Sequence, residues 1–121
     1  MEKLTRNIIF HYVKEKYNTL PEYLWKKFPN YAVLRKQYTN KWYGIIMNVP
    51  KSKISFNDET FIDILNIKCP PDLIGSFIDN KTYFPAYHMN KEHWLSILLE
   101  AVPSSDSKNI FNLIDLSYEL N

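Results

Sequence analysis

The stretch YAVLRKQYTNKWYGIIMNV, residues 31–49, contains the pattern that decides the fold. Its two halves, 31–37 and 41–49, are rich in the aromatic and β-branched residues that favour strands. The Tyr-Thr-Asn between them is short enough for a tight turn. The second half is apolar at consecutive positions, as in a central strand that is buried on both faces. The stretch therefore predicts a β-hairpin within an antiparallel sheet.

Other elements extend this hairpin in both directions along the chain. Helices are indicated where apolar residues recur every three or four positions, and strands where they alternate. The predicted elements are a helix at about 2–17, a loop with an extended patch at 19–30, a loop or hairpin tip at 50–59, a strand at 61–69, a short helix at 70–79, strands at 83–89 and 93–100, and a helix at about 105–119. Together they predict an α+β two-layer sandwich, in which a mainly antiparallel β-sheet packs against the N- and C-terminal helices.

The third strand and the last helix each have a predicted buried side. In the strand, Leu65, Ile67 and Cys69 share one face because every second residue points the same way. The buried side of the last helix is expected to contain Ile110, Leu113, Ile114 and Ser117. Ser104 or Ser105 is expected to cap this helix.

Length and composition limit the classes of protein to which the chain can belong. Its 121 residues suit a single domain, 1–121. With two glycines, the sequence has no glycine-rich loop of the kind that holds nucleotide phosphates. One cysteine excludes an intramolecular disulfide and suits a reducing compartment. No apolar segment approaches the ~20 residues of a membrane helix, and no signal peptide is apparent. We therefore expect a cytoplasmic protein without a membrane partner.

Charge is distributed unevenly along the chain. The net charge is only +2, but residues 23–57 contain seven basic residues and no Asp or Glu, which leaves −5 for the rest. The basic residues cluster near predicted turns, at 35–41 and 51–53, where they can reach the phosphates of a polyanion. Aromatic residues in the same window can stack on unpaired bases. The alternative is that lysines protect sheet edges and the aromatic residues belong to the core.

The two histidines of the stretch FPAYHMNKEHWLS, residues 84–96, raise the question of a chemical site. His88 and His93 are five residues apart, so neither a helix nor a strand aligns them as a local metal pincer. A metal would need distant ligands such as His11, Cys69, Asp72 or Asp79, and we expect no metal. The Asn-Lys-Glu between the histidines, 90–92, predicts a tight turn before a core strand.

Cys69 has two interpretations. It can be a nucleophile whose pKa is lowered at the start of the short helix, with His88 or His93 as the base. It can also be a small apolar residue at the inward end of a strand, as most free cysteines are. The second interpretation is favoured, because no catalytic signature surrounds Cys69. We therefore assign no catalytic residue.

Four segments together resemble the MmcQ/YjbR family. They are KWYGIIMNV, ILNIKCPP, FPAYHMNKEHWLSILL and LIDLSYEL, in the order and approximate spacing of that family. The matching positions are Lys41-Trp42, Lys68-Cys69, Tyr87 to Trp94, and Ser117-Tyr118. The resemblance implies a compact α+β fold, similar in outline to the frataxin-like CyaY domain. It also implies DNA binding through a double wing of β-hairpins.

Charge and resemblance together lead to the expected function. We expect a monomeric, non-enzymatic DNA-binding protein without a cofactor, which contacts the phosphate backbone with weak sequence specificity. The expected phosphate contacts are Arg35, Lys36, Lys41, Lys51 and Lys53, with Lys68 and Lys91 as secondary contacts. The alternative is a protein- or small-ligand-binding module whose pocket lies near His88, His93 and Trp94.

Overall fold

The central pair of strands forms where the apolar, β-branched residues are densest. A computed structural model describes residues 3–54 and 56–120. The helices and strands are α1 (Arg6–Tyr17), β1 (Ala32–Arg35), β2 (Trp42–Pro50), β3 (Phe61–Lys68), α2 (Pro71–Phe77), β4 (Tyr83–Pro85), β5 (Trp94–Leu98) and α3 (Ser107–Glu119). The five strands form one antiparallel sheet in the order β1-β2-β3-β5-β4. The predicted α+β class and the internal position of β2 are confirmed.

Consecutive hairpins place their turns at opposite ends of the sheet. We call the end with the β1–β2 turn, residues 36–41, the upper end, and the end with the β2–β3 connection, residues 51–60, the lower end. The nine residues of β2 separate the two ends by about 27 Å. Lys68, the last residue of β3, pairs with Trp94, the first residue of β5, so both lie at the upper end.

Helices α1 and α3 lie side by side on one face of the sheet. The ring of Tyr12 stacks on Phe111 with a centroid distance of 4.2 Å, and Tyr17 stacks on Tyr118 at 3.8 Å. The earlier residue of α1 contacts the earlier residue of α3, and the later residue contacts the later one. The two helices are therefore parallel, and both end near the upper end of the sheet. The residues predicted on the buried side of α3, Ile110, Leu113, Ile114 and Ser117, are all buried. Leu65, Ile67 and Cys69 share one face, as predicted, and belong to the apolar cluster that packs against these helices.

The opposite face of the sheet carries a second apolar cluster. Its buried members are Tyr31, Val33, Ile45, Met47, Val49, Ile62, Ile64, Phe84 and Leu98. They are covered by loop side chains such as Trp25, Tyr87 and Met89 rather than by α1, α2 or α3. We call this the loop-covered face. The predicted extended patch in 19–30 is real, because Glu22 forms an isolated antiparallel bridge with Val33.

Some predicted boundaries and one predicted cap are wrong. A 3-10 turn at Ser104–Asp106 precedes α3. The N-cap of α3 is therefore Asp106, whose side chain makes no capping hydrogen bond. Neither Ser104 nor Ser105 caps the helix. The strand predicted at 83–89 ends at Pro85. Helix α1 begins only after Thr5, whose hydroxyl accepts a hydrogen bond from the Ile8 N–H, while position 2 lies outside the described residues.

Within the described residues, no helix has the length and hydropathy needed to cross a bilayer.

Candidate functional site

Five of the seven basic side chains expected to contact DNA lie at the upper end of the sheet. Arg35, Lys36 and Lys41 belong to the β1–β2 hairpin, Lys68 ends β3, and Lys91 lies in the turn before β5. The other two, Lys51 and Lys53, form a 3-10 turn at the lower end. The structure therefore divides the expected contacts into a group of five and a group of two, about 27 Å apart.

The β1–β2 turn has a tightly specified backbone. The Lys36 N–H donates to the Lys41 carbonyl oxygen at 2.7 Å, and the Asn40 N–H donates to the Lys36 carbonyl oxygen at 2.9 Å. Tyr38 and Asn40 adopt left-handed conformations, with φ of 70° and 60°. Asparagine tolerates this region well, whereas tyrosine does so rarely. The result is a compact turn that carries lysines at its base and the 96% exposed Tyr38 at its tip.

Several upper-end cations are held by neighbouring groups. The Arg35 Nε lies 2.7 Å from the Glu22 carboxylate, and its Nη1 donates to the Asn40 carbonyl oxygen at 3.1 Å. The Lys36 ammonium lies 4.9 Å from the centroid of the Tyr118 ring. The Lys68 ammonium lies 5.6 Å from the Trp94 ring. Such cation–π contacts orient the charge.

At the lower end, Lys51 is an ion-pair partner of Glu100, with 3.0 Å between the Lys51 Nζ and the carboxylate oxygen. The pKa of Lys51 is raised, and the main cause is its hydrogen bond to Glu100. Lys53 is exposed in the same turn. The carboxylates Asp58 and Glu59 follow in the same connection, so this end is less cationic than the β1–β2 turn.

An aromatic pocket opens on the loop-covered face. Its volume is about 330 Å³, and it is lined by Trp25, Phe28, Tyr31, Trp42, Ile45, Met47, His88 and Met89. The Trp25 ring is perpendicular to that of Trp42, at 89° and 5.8 Å, whereas Phe28 stacks on Tyr31 at 4.7 Å. Trp42 is the first residue of β2, so the pocket reaches the upper end of the sheet.

The cationic hairpin and the aromatic pocket meet at one contact. The Arg35 guanidinium carbon lies 5.8 Å from the centroid of the Trp42 ring. Trp42 lines the pocket, and Arg35 is the register partner of Trp42 in the β1–β2 ladder. A ligand in the pocket would therefore lie beside the first of the upper-end cations.

A buried polar pair holds the loop that closes the pocket. Asn66 on β3 and Ser96 on β5 are both fully buried, and the Ser96 hydroxyl donates to the Asn66 side-chain oxygen. The Asn66 amide donates to the Tyr87 carbonyl oxygen at 3.0 Å, and the Tyr87 N–H donates to the Ser96 hydroxyl at 2.9 Å. The next residue, His88, has a φ of 59° and lines the pocket.

The structure places His93 and Trp94 away from this pocket. His93 lines a separate depression of about 200 Å³, together with Lys68, Cys69, Pro70, Pro71 and Leu120. Trp94 is 7% exposed and belongs to the interior. Of the three residues expected to surround one pocket, His88 alone lines the aromatic pocket.

Cys69 and His93 are neighbours through the backbone, since the Cys69 N–H donates to the His93 carbonyl oxygen at 2.9 Å. The Cys69 side chain is buried. Burial raises the pKa of its thiol, and the nearby Asp72 carboxylate raises it further. This is the opposite of the shift that activates a thiol nucleophile.

The turn predicted at Asn90-Lys91-Glu92 is confirmed. The Asn90 side-chain oxygen accepts from the Glu92 N–H at 2.8 Å, and its carbonyl oxygen accepts from the His93 and Trp94 N–H groups at 3.1 and 2.9 Å. The asparagine side chain thus forms the turn itself. In residues 3–54 and 56–120, no three His, Cys, Asp or Glu side chains come close enough to hold a metal ion.

The fold and the site define a single-layer antiparallel sheet with helices on one face and an aromatic pocket on the other. A sequence model of the YjbR family matches residues 14–120. The uncharacterized protein YyaQ of Bacillus subtilis strain 168 is 49% identical over 117 residues, which cover 97% of this chain and 98% of YyaQ. The chain therefore belongs to the YjbR family, also written MmcQ/YjbR.

Solved structures share this fold. A crystal structure of a protein from Pseudomonas syringae is similar with a TM-score of 0.90 and 39% identity, covering 97% of this chain and 98% of that chain. The solution structure from the same organism has a TM-score of 0.83 at the same identity, with 97% and 92% of the chains covered. The Deinococcus radiodurans protein DR2400 is similar with a TM-score of 0.72 at 20% identity, covering 98% and 78%. At that identity the likeness concerns the fold alone.

Sequence reasoning missed the Asn66–Ser96 pair and the position of Trp25 beside Trp42 in the wall of the aromatic pocket. The available signal was the polar residue in the middle of each of two otherwise apolar strands, FIDILNIK and WLSIL. A buried polar side chain in such a position requires a partner. No local pattern links residues 25, 42 and 88, because tertiary packing alone brings them together.

Proposed function

We propose that the protein is a monomeric, non-enzymatic DNA-binding protein that contacts the phosphate backbone with the upper end of its sheet. The observation that carries this proposal is the gathering of Arg35, Lys36, Lys41, Lys68 and Lys91 at that end. Each lysine or arginine that neutralises a phosphate releases condensed counterions, which is the main source of non-specific affinity for DNA.

The geometry of the β1–β2 hairpin supports this proposal. Its base carries Lys36 and Lys41 on hydrogen-bonded residues, and the Lys36 ammonium is oriented by the Tyr118 ring. A cation that is already oriented loses less conformational entropy when it binds a phosphate. The hairpin turn, residues 36–41, contains no carboxylate that would repel DNA.

Lys51 and Lys53 enter the proposal as contacts to a more distant phosphate. A duplex rises about 3.4 Å per base pair, so a separation of about 27 Å corresponds to about 8 base pairs. Both ends of the sheet would touch one duplex only if the duplex ran along β2. Binding by the upper end alone does not require the duplex to run along β2. The two arrangements predict different effects for lysines at the two ends.

A matched pair of double variants tests the proposal. Lys36→Gln with Lys41→Gln removes two positive charges from the upper end, and Lys51→Gln with Lys53→Gln removes two from the lower end. We expect the upper-end variant to reduce the slope of log affinity against log salt by about 2, since each phosphate contact contributes about 0.9. A slope near zero in the wild-type protein, or no loss of affinity in either variant, would exclude this proposal, whereas equal losses in both variants would indicate a duplex that runs along β2. Size-exclusion chromatography with light scattering checks the monomer.

A second candidate function is the binding of a small flat ligand in the aromatic pocket. The observation that favours it is the pocket of about 330 Å³ lined by Trp25, Trp42 and His88, which lies at the lower limit of roughly 300–1,000 Å³ for ligand sites. Thermal shifts produced by metabolites but not by oligonucleotides would favour this candidate over DNA binding.

A further inference from the structure

We infer that the aromatic pocket receives an unpaired nucleobase, so that the protein prefers single-stranded DNA to duplex DNA. This inference rests on the proposed function and assigns a ligand to the pocket. It joins two features at the upper end that the proposal of backbone contacts leaves separate. These features are the cationic hairpin and the aromatic pocket beside it.

The walls of the pocket suit a flat heteroaromatic ring. Trp25 and Trp42 are in edge-to-face contact, with ring centroids 5.8 Å apart at 89°, so they form one continuous aromatic wall. A flat ring that enters the pocket can stack against this wall. Phe28 is 43% exposed at the rim, which leaves part of its ring available for stacking. Stacking of this kind accepts every base, because every base has an aromatic face.

The floor and the size of the pocket also suit a single base. Ile45 and Met47 on β2 form an apolar floor and are nearly fully buried. A volume of about 330 Å³ holds one ring system rather than a segment of duplex. Bases in a duplex are stacked and paired, so a duplex would first have to extrude one. An unpaired base avoids this cost.

The charges around the pocket suit the phosphate attached to such a base. Arg35 lies over Trp42 at the pocket's upper edge, and Lys41 belongs to the same hairpin. The Lys36 ammonium lies over the Tyr118 ring on the helical face, so it would contact a phosphate further along the strand. An uncharged apolar ligand would gain nothing from this rim, whereas a nucleotide would use both the rings and the cations. Glu22 neutralises part of the Arg35 charge through its ion pair, and an incoming phosphate would compete with it.

His88 supplies a polar group among apolar walls. It lines the pocket from a left-handed backbone position, which Asn66 and Ser96 support through the backbone of Tyr87. An imidazole can donate or accept a hydrogen bond at the edge of a base, and its ring can also stack. The pocket therefore offers a stacking surface and a polar edge, the two features by which proteins hold extruded bases.

The test compares affinities for a labelled single strand of about 16 nucleotides and for the duplex of the same sequence. It uses wild-type protein, Trp25→Ala and Phe28→Ala, with Phe61→Ala as the matched control. Phe61 is a 63% exposed phenylalanine at the lower end, outside the aromatic pocket. Because removal of Trp25 can perturb folding, Phe28→Ala at the rim is the second variant, and thermal unfolding is recorded for all three.

We expect the single strand to bind at least about tenfold more tightly than the duplex, and each pocket variant to weaken single-strand binding about tenfold while leaving duplex binding unchanged. A fluorescent base analogue in the strand should also change its emission on binding to wild-type protein but not to Trp25→Ala. Phe61→Ala should behave as wild type in both measurements.

Three outcomes would overturn the inference, and they are distinguishable. Equal binding of both DNA forms, unaffected by the pocket variants, would exclude the base pocket and leave backbone binding intact. Binding of neither form at low salt would exclude both the inference and the proposed function. Binding of a free mononucleotide as tight as that of the strand, unaffected by Lys36→Gln with Lys41→Gln, would assign the pocket to a small ligand instead.

Discussion

The hydroxyl of Ser96 and the side-chain oxygen of Asn66 are joined by a hydrogen bond inside the sheet, between neighbouring strands β5 and β3. Both residues also bond to the backbone of Tyr87, which lies in the loop above the sheet. A buried polar pair is stable only when all of its members are satisfied. This pair therefore determines where the loop lies, and with it the position of His88 at the aromatic pocket.

Replacing Ser96 should disturb the pocket more than the core. In Ser96→Ala, the part-buried Tyr87 N–H and the buried Asn66 oxygen lose their partner, which costs roughly 1–3 kcal/mol in the free energy of unfolding. If the pocket binds an unpaired base, the affinity for single-stranded DNA should fall several-fold with little change in duplex affinity. Chemical denaturation and fluorescence anisotropy measure the two effects.

Ser117→Ala is the matched control for that experiment. The Ser117 hydroxyl is buried on the opposite face of the sheet, where it donates to the Tyr43 carbonyl oxygen at 2.6 Å and accepts from the Lys68 N–H at 2.9 Å. Its removal should cost a similar free energy of unfolding. The ratio of single-strand to duplex affinity should stay at the wild-type value. An equal change of this ratio in both variants would show that general destabilisation is responsible.

Glu22→Gln should strengthen DNA binding. The substitution removes the carboxylate that pairs with Arg35 at 2.7 Å, and so increases the charge that faces a phosphate. We expect a gain of a few-fold in affinity at low salt, shrinking as salt screens the charges. Glu100→Gln removes the equivalent partner of Lys51 at the lower end. If Glu100→Gln strengthens binding as much as Glu22→Gln, the two ends of the sheet contribute equally.

Asp115 should be the most important carboxylate for joining α1 to α3. It accepts hydrogen bonds from the Tyr12 hydroxyl at 2.8 Å, the Tyr17 hydroxyl at 2.7 Å and the Lys16 ammonium at 2.7 Å. Asp115→Asn removes the charge and one of the accepting oxygens, and should lower the free energy of unfolding by about 2 kcal/mol at pH 7. Denaturant titrations of the variant and the wild type measure this difference.

The stability conferred by Asp115 should depend on pH. Burial by itself would raise the pKa of Asp115, but hydrogen bonds from Lys16, Tyr17 and Tyr12 outweigh it and lower the pKa. A carboxyl with a lowered pKa stabilises the fold above its unfolded pKa of about 4, and this stabilisation is lost as the pH falls through the folded pKa. The difference in Tm between wild type and Asp115→Asn should therefore be complete at pH 7 and shrink below about pH 4. A difference that stays constant down to pH 2 would contradict the assignment.

Cys69 should react slowly with iodoacetamide at neutral pH. Its side chain is buried, and burial followed by the Asp72 charge raises the pKa of its thiol. We expect labelling to be at least about tenfold slower than that of a small free thiol, and to become fast in denaturant. Labelling as fast as that of the free thiol in the folded protein would restore the interpretation of Cys69 as a nucleophile.

The helical face of the sheet could be predicted from the sequence almost residue by residue. Periodicity identified Ile110, Leu113 and Ile114, because an amphipathic helix carries its own burial pattern. The cap of α3 was predicted wrongly, since a 3-10 turn shifts the helix start from the serines to Ser107. The exact start of a helix depends on whether its first residues form a 3-10 turn or an α-helical turn. Capping preferences of single residues do not decide between the two.

The loop-covered face was much less predictable. The strand expected at 83–89 stops at Pro85 because the Tyr87 N–H bonds to the Ser96 side chain instead of a neighbouring strand, and His88 then turns left-handed. Alternation of residue types carries no information about such a side-chain contact. The division of the cationic residues between two ends follows from strand topology. The positions of the cationic residues in the sequence predicted that they lie in turns. They did not predict which turns lie at the same end of the sheet.

The two faces of the sheet also differ in how they can open. One face is covered by two helices with their own backbone hydrogen bonds. In the part of the chain that the structure describes, the loops over the other face are attached by the isolated Glu22–Val33 bridge and a few side-chain bonds. Segments with few internal hydrogen bonds exchange their amide protons through small local fluctuations. Residues 20–31 and 86–89 should therefore exchange faster than α1 and α3. The loops around the pocket could then rearrange on a time scale far shorter than that of global unfolding.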